Sequence, residues 1–154
     1  MKLEGKVALV TAAGRGIGKG IALALAREGA RLVVNSFAAD TTAATVAEIA
    51  AQGVDVVSLV GDITDPNKIL EMRNLALDSF GQIDILVNNV GAGPKSAIEP
   101  EDHELGMAAA LWDALYAQNV KPLVLMSEAV IPHMRERQTG KIIHISSIAG
   151  RASL

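Results

Sequence analysis

The 154-residue sequence contains no cysteine and few aromatic residues: one tryptophan, one tyrosine and two phenylalanines. Without cysteine it cannot form a disulfide, a thiolate metal site or a cysteine nucleophile. Its 14 basic and 17 acidic side chains give a net charge of −3, and no lysine or arginine run supplies the basic patch typical of nucleic-acid binding. No apolar stretch approaches the length of a membrane span, and no hydrophobic signal region opens the chain. We therefore expect no nucleic-acid partner, no membrane contact and a cytoplasmic location.

The sequence does contain an alternation of short apolar runs with longer periodic segments. The short runs are rich in valine, isoleucine and leucine with little polar alternation, which is typical of parallel strands covered on both faces. The predicted strands are Val7–Val10, Arg31–Asn35, Val54–Val60, Ile83–Asn88 and Lys141–Ser146. Strands that alternate with helices favour an α/β fold, a Rossmann-type doubly wound parallel sheet with strand order 3-2-1-4-5. Residues 1–154 are predicted to form a single dinucleotide-binding domain.

Helix signals fill the gaps between these strands. Apolar residues recur at every fourth position after the first strand, and Asp40 and Asp65 are predicted to cap the second and third helices. Pro66 suits the first turn of the third helix. The predicted helices end near Gly29, Gly53, Gly81 and Met134, the last one starting at about Leu105 with a break near its start.

The first strand runs into a glycine-rich turn, Thr11 to Gly18, with the sequence TAAGRGIG. Glycines let a phosphate approach the backbone closely, and the following helix offers unpaired N–H groups and a favourable dipole. The common spacing Gly-x-Gly-x-x-Gly is not met, because Lys19 occupies the place of the third glycine. The turn therefore predicts a phosphate site, with a glycine-rich turn that binds no ligand as the alternative.

This segment resembles the Thr-Gly-x-x-x-Gly-Ile-Gly turn of the short-chain dehydrogenase/reductase family, with Ala12 in place of the first glycine. Four further motifs follow in the family's order and extend the resemblance over the whole chain. They are Gly61-Asp62-Ile63, Asn88-Asn89-Val90-Gly91, Asn119-Val120 seven residues after Trp112, and the segment from Lys141 that ends in Ser146-Ser147-Ile148-Ala149-Gly150.

The resemblance implies a set of site residues. The implied cofactor-binding residues are Thr11, Gly14, Arg15, Gly16, Ile17, Gly18, Asn35, Ser36, Asp62, Ile63, Asn89, Val90 and Gly91. In the family the aspartate meets the adenine amino group, which assigns Asp62, with an ordinary turn residue as the alternative. The implied catalytic residues are Ser147, which would position the substrate oxygen, and Asn119, which would support a proton relay unless it is an ordinary helical asparagine. The three histidines have no metal-ligand spacing, so no metal site is predicted.

The end of the second strand bears on the choice of nucleotide. NAD-dependent enzymes place an acid there to hold the ribose hydroxyls, but this chain reads Asn35-Ser36-Phe37 and has no acid before Asp40. The resemblance places Arg15 where relatives carry a basic residue for the 2′-phosphate, although Phe37 replaces the second arginine of some relatives. We therefore predict NADP(H) in preference to NAD(H).

The resemblance also implies a catalytic tyrosine and lysine on a fifth helix, about a dozen residues beyond Ser147. The only tyrosine is Tyr116, and no Tyr-x-x-x-Lys motif occurs. The chain is therefore expected to be truncated on its C-terminal side, without strands six and seven, prone to self-association through its fifth strand and inactive alone. The expected function is an NADP(H)-dependent oxidoreductase that interconverts a small-molecule carbonyl and a secondary alcohol, homo-oligomeric at full length. The alternative is a nucleotide-binding pseudoenzyme or regulatory module without catalysis.

Overall fold

The computed structural model describes residues 1–92 and 109–148. Within these residues five parallel strands form one sheet in the order β3-β2-β1-β4-β5, which confirms the predicted order. The strands are β1 (Val7–Val10), β2 (Arg31–Ser36), β3 (Val56–Val60), β4 (Ile85–Asn88) and β5 (Lys141–His144). The helices are α1 (Gly16–Arg27), α2 (Ala39–Ala50), α3 (Pro66–Phe80), α4 (Ala109–Asn119) and α5 (Lys121–Glu136).

A separate apolar cluster covers each face of the sheet. Val7 and Leu9 face one side and pack in a cluster with residues of α3 and α5. Ala8 and Val10 face the other side and pack with residues of α1 and α2. All four side chains are fully buried, which explains why the strands show no polar alternation in the sequence.

Several predicted limits are corrected by the structure. The predicted fourth helix is two helices, because Pro122 lacks an N–H and its ring clashes with the carbonyl four residues earlier, and the chain turns at Val120. The break at Val120 was not predicted, and the predicted break near the start of the segment, at about residues 105–108, lies outside the described residues. Asp40 does not cap α2: Ala38 occupies the N-cap position, and the Thr42 hydroxyl donates to its carbonyl at 2.6 Å. The Asp65 cap is confirmed, since its carboxylate accepts from the Asn67 N–H.

Polar groups at the amino edge of the sheet surround Asp84, which precedes β4 and is only 4% exposed. Its carboxylate accepts hydrogen bonds from the Val7 N–H at 2.9 Å and from Arg137 at 3.2 Å, and Lys6 lies 3.5 Å away. Burial raises the pKa of Asp84, but the Val7 hydrogen bond and the two cations outweigh it and hold the pKa below its usual value. This cluster joins the starts of β1 and β4 to the end of α5.

No helix among the described residues has the length and apolarity needed to cross a bilayer.

Candidate functional site

The turn between β1 and α1 lies at the carboxyl edge of the sheet, where ligands bind in open α/β folds. Arg15, the residue that precedes α1, has an extended backbone and makes no side-chain cap. The first-turn N–H groups of α1 are therefore left without a capping side chain, as an anion site requires. Two residues of the turn, Ala12 and Gly16, have positive φ values of 51° and 55°. The turn is bonded to β2, because the Ala13 N–H donates to the Asn35 carbonyl at 2.7 Å.

Three glycines of the turn have different structural tasks. A Cβ atom on Gly18 would clash with the Ala12 carbonyl oxygen and with the Asn89 side chain. A Cβ atom on Gly14 would clash with the hydroxyls of Ser36 and Thr41. Gly16 instead faces open space, with no atom within 4 Å of its Cβ position. Gly14 and Gly18 therefore allow close packing, whereas Gly16 provides the backbone conformation and leaves room above the turn.

Thr11 and Asn89 hold the ends of β1 and β4 together. The Thr11 hydroxyl accepts hydrogen bonds from the N–H groups of Asn89 and Val90 at 2.9 and 3.1 Å. The Asn89 amide donates to the carbonyls of Thr11 and Ala12, both at 3.3 Å. Thr11 is 1% exposed, so its side chain shapes the turn and is not available to a ligand.

The ends of β2 and β3 are joined in a similar way. Asn35 is 2% exposed, and its amide donates to the carbonyls of Leu59 and Gly61 at 3.1 and 3.0 Å. Its expected part in binding is therefore to fix the position of the strand end. Ser36 follows with its hydroxyl against Gly14, and Phe37 is exposed.

Asp62 and Ile63 follow β3 at the same edge. Asp62 is exposed, and one carboxylate oxygen accepts from the Thr64 N–H at 2.9 Å, so the residue forms the turn that was the alternative interpretation. That contact occupies one oxygen and leaves the carboxylate at the surface of the site. The Ile63 side chain is 3% exposed and belongs to the core, so it can meet a nucleotide only through its backbone.

The expected catalytic residues lie at the same edge, beyond β1. Asn119 ends α4, and its side chain accepts from the Ala92 N–H and donates to the Leu115 carbonyl, both at 2.9 Å. A Cβ atom on Gly91 would lie 3.0 Å from the Asn119 side-chain oxygen, which explains the glycine there. Ser147 is exposed three residues after β5.

A partly buried polar cluster around Asn88, which the sequence does not predict, lies at the carboxyl ends of β4 and β5. The Asn88 amide lies 3.1 Å from His144 Nδ1 and 3.4 Å from both the Ser127 hydroxyl and the Leu123 carbonyl. These contacts join the carboxyl ends of β4 and β5 to α5. The register that pairs Asn88 with His144 spans 56 positions of sequence, so local patterns could not have predicted it.

Arg15 and Lys19 are the two basic residues at the turn and the start of α1. Arg15 is exposed and has no carboxylate within ion-pair distance among the described residues. Lys19, one turn further along α1, is paired with Glu48 of α2 at 2.7 Å. The site therefore presents an unpaired guanidinium next to unpaired helix N–H groups, which suits an anionic ligand.

Comparisons with known proteins agree with this geometry. The family model described as short chain dehydrogenase matches residues 6–154. A subunit of (2S)-[(R)-hydroxy(phenyl)methyl]succinyl-CoA dehydrogenase from Thauera aromatica is 37% identical over 149 residues, which cover 97% of this chain and 58% of that protein. The chain thus spans little more than half the length of this relative.

Solved structures give the same result. A 7α-hydroxysteroid dehydrogenase complexed with NADH and 7-oxo glycochenodeoxycholic acid superposes with a TM-score of 0.88 at 34% identity, over 99% of this chain and 57% of that one. A metagenomic short-chain oxidoreductase in complex with NADP superposes with a TM-score of 0.86 at 36% identity, over 100% of this chain and 67% of that one.

Proposed function

Because the chain belongs to the short-chain dehydrogenase/reductase family of oxidoreductases, we propose that it is the NADP(H)-binding portion of an enzyme that interconverts a carbonyl and a secondary alcohol. The nicotinamide, when bound, supplies or accepts the hydride. The chain's own residues bind the pyrophosphate at the start of α1 and hold the adenine amino group at Asp62. Asn119 and Ser147 lie on the side of the site where the substrate would react.

The observation that carries the preference for NADP(H) is the exposed Arg15, which has no carboxylate partner in the described part of the chain and lies beside a strand end without an acid. Related structures contain either NADH or NADP, so the family fold accepts both, and this chain's own residues decide the preference. An acid at the end of β2 would hold the ribose hydroxyls of NAD and repel a 2′-phosphate, but Ser36 occupies that place. A guanidinium binds phosphate through charge-assisted, bidentate hydrogen bonds.

The test is a titration of the chain with NADP⁺ and NAD⁺ in the wild type and in Arg15→Ala. Loss of a charged hydrogen bond costs about 1.5–3 kcal/mol, or roughly 10- to 150-fold in affinity. We expect NADP⁺ to bind more tightly than NAD⁺, and Arg15→Ala to lose this difference while NAD⁺ affinity is kept. Arg27→Ala is the matched control, since Arg27 is exposed at the other end of the same helix. Equal affinity of the wild type for both nucleotides would refute the preference.

Catalysis requires a proton to move on or off the substrate oxygen. The Ser147 hydroxyl would hold that oxygen, and Asn119 would fix α4 against the loop after β4 through its Ala92 contact. Tyr116, the only tyrosine, is 57% exposed on α4, and no lysine follows it at the spacing of the family motif. Nucleotide binding without turnover by the full-length protein would favour a pseudoenzyme or regulatory module.

The small-molecule substrate, a cytoplasmic location and a homo-oligomer at full length remain predictions. For self-association, the exposed apolar side chains Trp112, Tyr116, Val120 and Val124 on and between α4 and α5 offer a candidate surface. Light scattering of the full-length protein would test this.

A further inference from the structure

The chain has two phenylalanines, and they differ sharply in their surroundings. Phe80, at the end of α3, packs against the core, and the guanidinium of Arg31 lies 5.0 Å above its ring. Phe37, directly after β2, is 77% exposed. Exposed apolar side chains are common on protein surfaces, so exposure alone does not indicate a function for Phe37. Its position in the fold does.

Phe37 lies at the carboxyl edge of the sheet, between the two residues that bracket the adenosine in the proposed function. The strand order β3-β2-β1 puts Asp62, after β3, on one side of Phe37 and the turn that carries Arg15, after β1, on the other. Neighbouring strands lie about 4.8 Å apart, so the ends of β1 and β3 are separated by roughly 10 Å. An adenosine that reaches from Asp62 to Arg15 must therefore cross the end of β2.

We propose that Phe37 stacks on the adenine ring of the bound nucleotide and sets the affinity for the base. This inference rests on the proposed function, because it takes the position of the adenosine from Asp62 and Arg15. The hydrogen bonds from Asn35 to the Leu59 and Gly61 carbonyls and the contact of Ser36 with Gly14 hold the two residues that precede Phe37. The ring is thus carried on a rigid strand end, which lowers the entropy cost of stacking.

Phe37 and Arg15 are expected to contact different parts of the nucleotide, so their effects on binding can be distinguished. A stacked ring contacts the base, which NAD⁺ and NADP⁺ share, whereas a guanidinium contacts the 2′-phosphate, which only NADP⁺ has. Stacking on an aromatic side chain contributes about 1–3 kcal/mol per base, or roughly 5- to 150-fold in affinity. Removal of the ring should therefore weaken both dinucleotides by the same factor.

The experiment measures dissociation constants of Phe37→Ala, Phe37→Leu and Phe37→Tyr by calorimetry with NADP⁺, NAD⁺ and nicotinamide mononucleotide, which lacks adenine. We expect Phe37→Ala to weaken both dinucleotides by about 5- to 150-fold and to leave the mononucleotide unaffected. Phe37→Tyr keeps a ring and should bind as the wild type does, whereas Phe37→Leu keeps an apolar side chain but no ring and should bind poorly. Leu70→Ala is the matched control, because Leu70 is also an exposed apolar residue, on α3.

The outcomes distinguish this inference from the function on which it rests. If the wild type binds both dinucleotides and Phe37→Ala binds them equally well, stacking is refuted and the proposed function stands. Equal binding by the leucine and tyrosine variants, or an equal loss for the mononucleotide, would also refute stacking. If the folded wild type binds no dinucleotide, both proposals fail together. Because Phe37 is exposed, its substitution should leave the melting curve nearly unchanged, so melting curves can confirm that each variant is folded.

Discussion

At the amino edge of the sheet Asp84 is buried and faces two cations, whereas at the carboxyl edge Arg15 is exposed and has no carboxylate partner among the described residues. The first edge satisfies its charges within the protein and joins β1, β4 and α5. The second edge uses neutral hydrogen bonds, accepted by the Thr11 hydroxyl and donated by the Asn35 and Asn89 amides, to fix its shape and leaves charge at the surface. The comparison separates residues that stabilise the fold from residues that can bind a ligand, although both sets are polar.

The largest effect is expected from Asp84→Ala. The substitution leaves the Val7 N–H without its acceptor and Arg137 without its carboxylate, so the free energy of unfolding should fall by about 2–4 kcal/mol. Urea denaturation measures this loss, with Asp78→Ala as the control, because Asp78 is an exposed aspartate of α3. Nucleotide affinity of the folded variant should be unchanged. A weaker affinity would show that the two edges are not independent.

A smaller effect on stability, but a clear effect on binding, is expected from Gly18→Ala. The new Cβ atom would clash with the Ala12 carbonyl and the Asn89 side chain, so the turn must open. We expect a loss of about 1–3 kcal/mol in the free energy of unfolding and of about tenfold or more in nucleotide affinity.

Gly20→Ala provides the matched control for Gly18→Ala, since Gly20 lies two residues further along α1 with no atom within 4 Å of its Cβ position. It should raise the free energy of unfolding by about 0.5–1 kcal/mol, because alanine is the better helix residue. Similar behaviour of the two variants would argue against a special packing requirement at Gly18.

The smallest expected effect is the pH dependence of the free energy of unfolding that comes from Asp84 at the amino edge of the sheet. The pKa of Asp84 is lower in the folded chain than its ordinary value of 3.8, so its stabilising contribution is complete above that value and is lost as the pH falls through the folded pKa. Denaturation of the wild type and Asp84→Asn should therefore show a constant difference near neutral pH that shrinks in acid below about 3.8. A difference that stays constant into strong acid would show that Asp84 contributes through packing and not through its charge.

Much of the fold could be predicted from the sequence, because its signals are local. The valine-rich run Val7–Val10 was predicted with its observed limits, and the Asp65-Pro66 start of α3 is confirmed. Asp40 shows where local signals are ambiguous, since an aspartate two residues inside a helix resembles one that caps it. The helix break at Val120 was not predicted although Pro122 marks it, because proline is also tolerated in the first turn of a helix.

The site was predictable as a set of residues but not as a set of contacts. The sequence indicates that Asn35 and Thr11 lie at the carboxyl edge of the sheet, where the nucleotide is expected. It cannot show that the Asn35 side chain is hydrogen-bonded to Gly61 and the Thr11 side chain to Val90. Those partners follow β3 and β4, which are distant in sequence from Asn35 and Thr11. The Asp84 cluster escaped prediction for the same reason, because Val7 and Arg137 lie 77 and 53 positions away.

The alanine at position 12 has a consequence for how such turns are recognised. Its left-handed backbone, with φ of 51°, is the conformation for which glycine is the usual choice, and a non-glycine residue there costs about 1–2 kcal/mol. The turn nevertheless closes, because the neighbouring Thr11 and Asn89 contacts hold it. A search that demands glycine at every position of the motif would therefore pass over this chain. The requirement at this position is thus a backbone conformation, and alanine, whose codons differ from glycine codons in one base, can meet it in this chain.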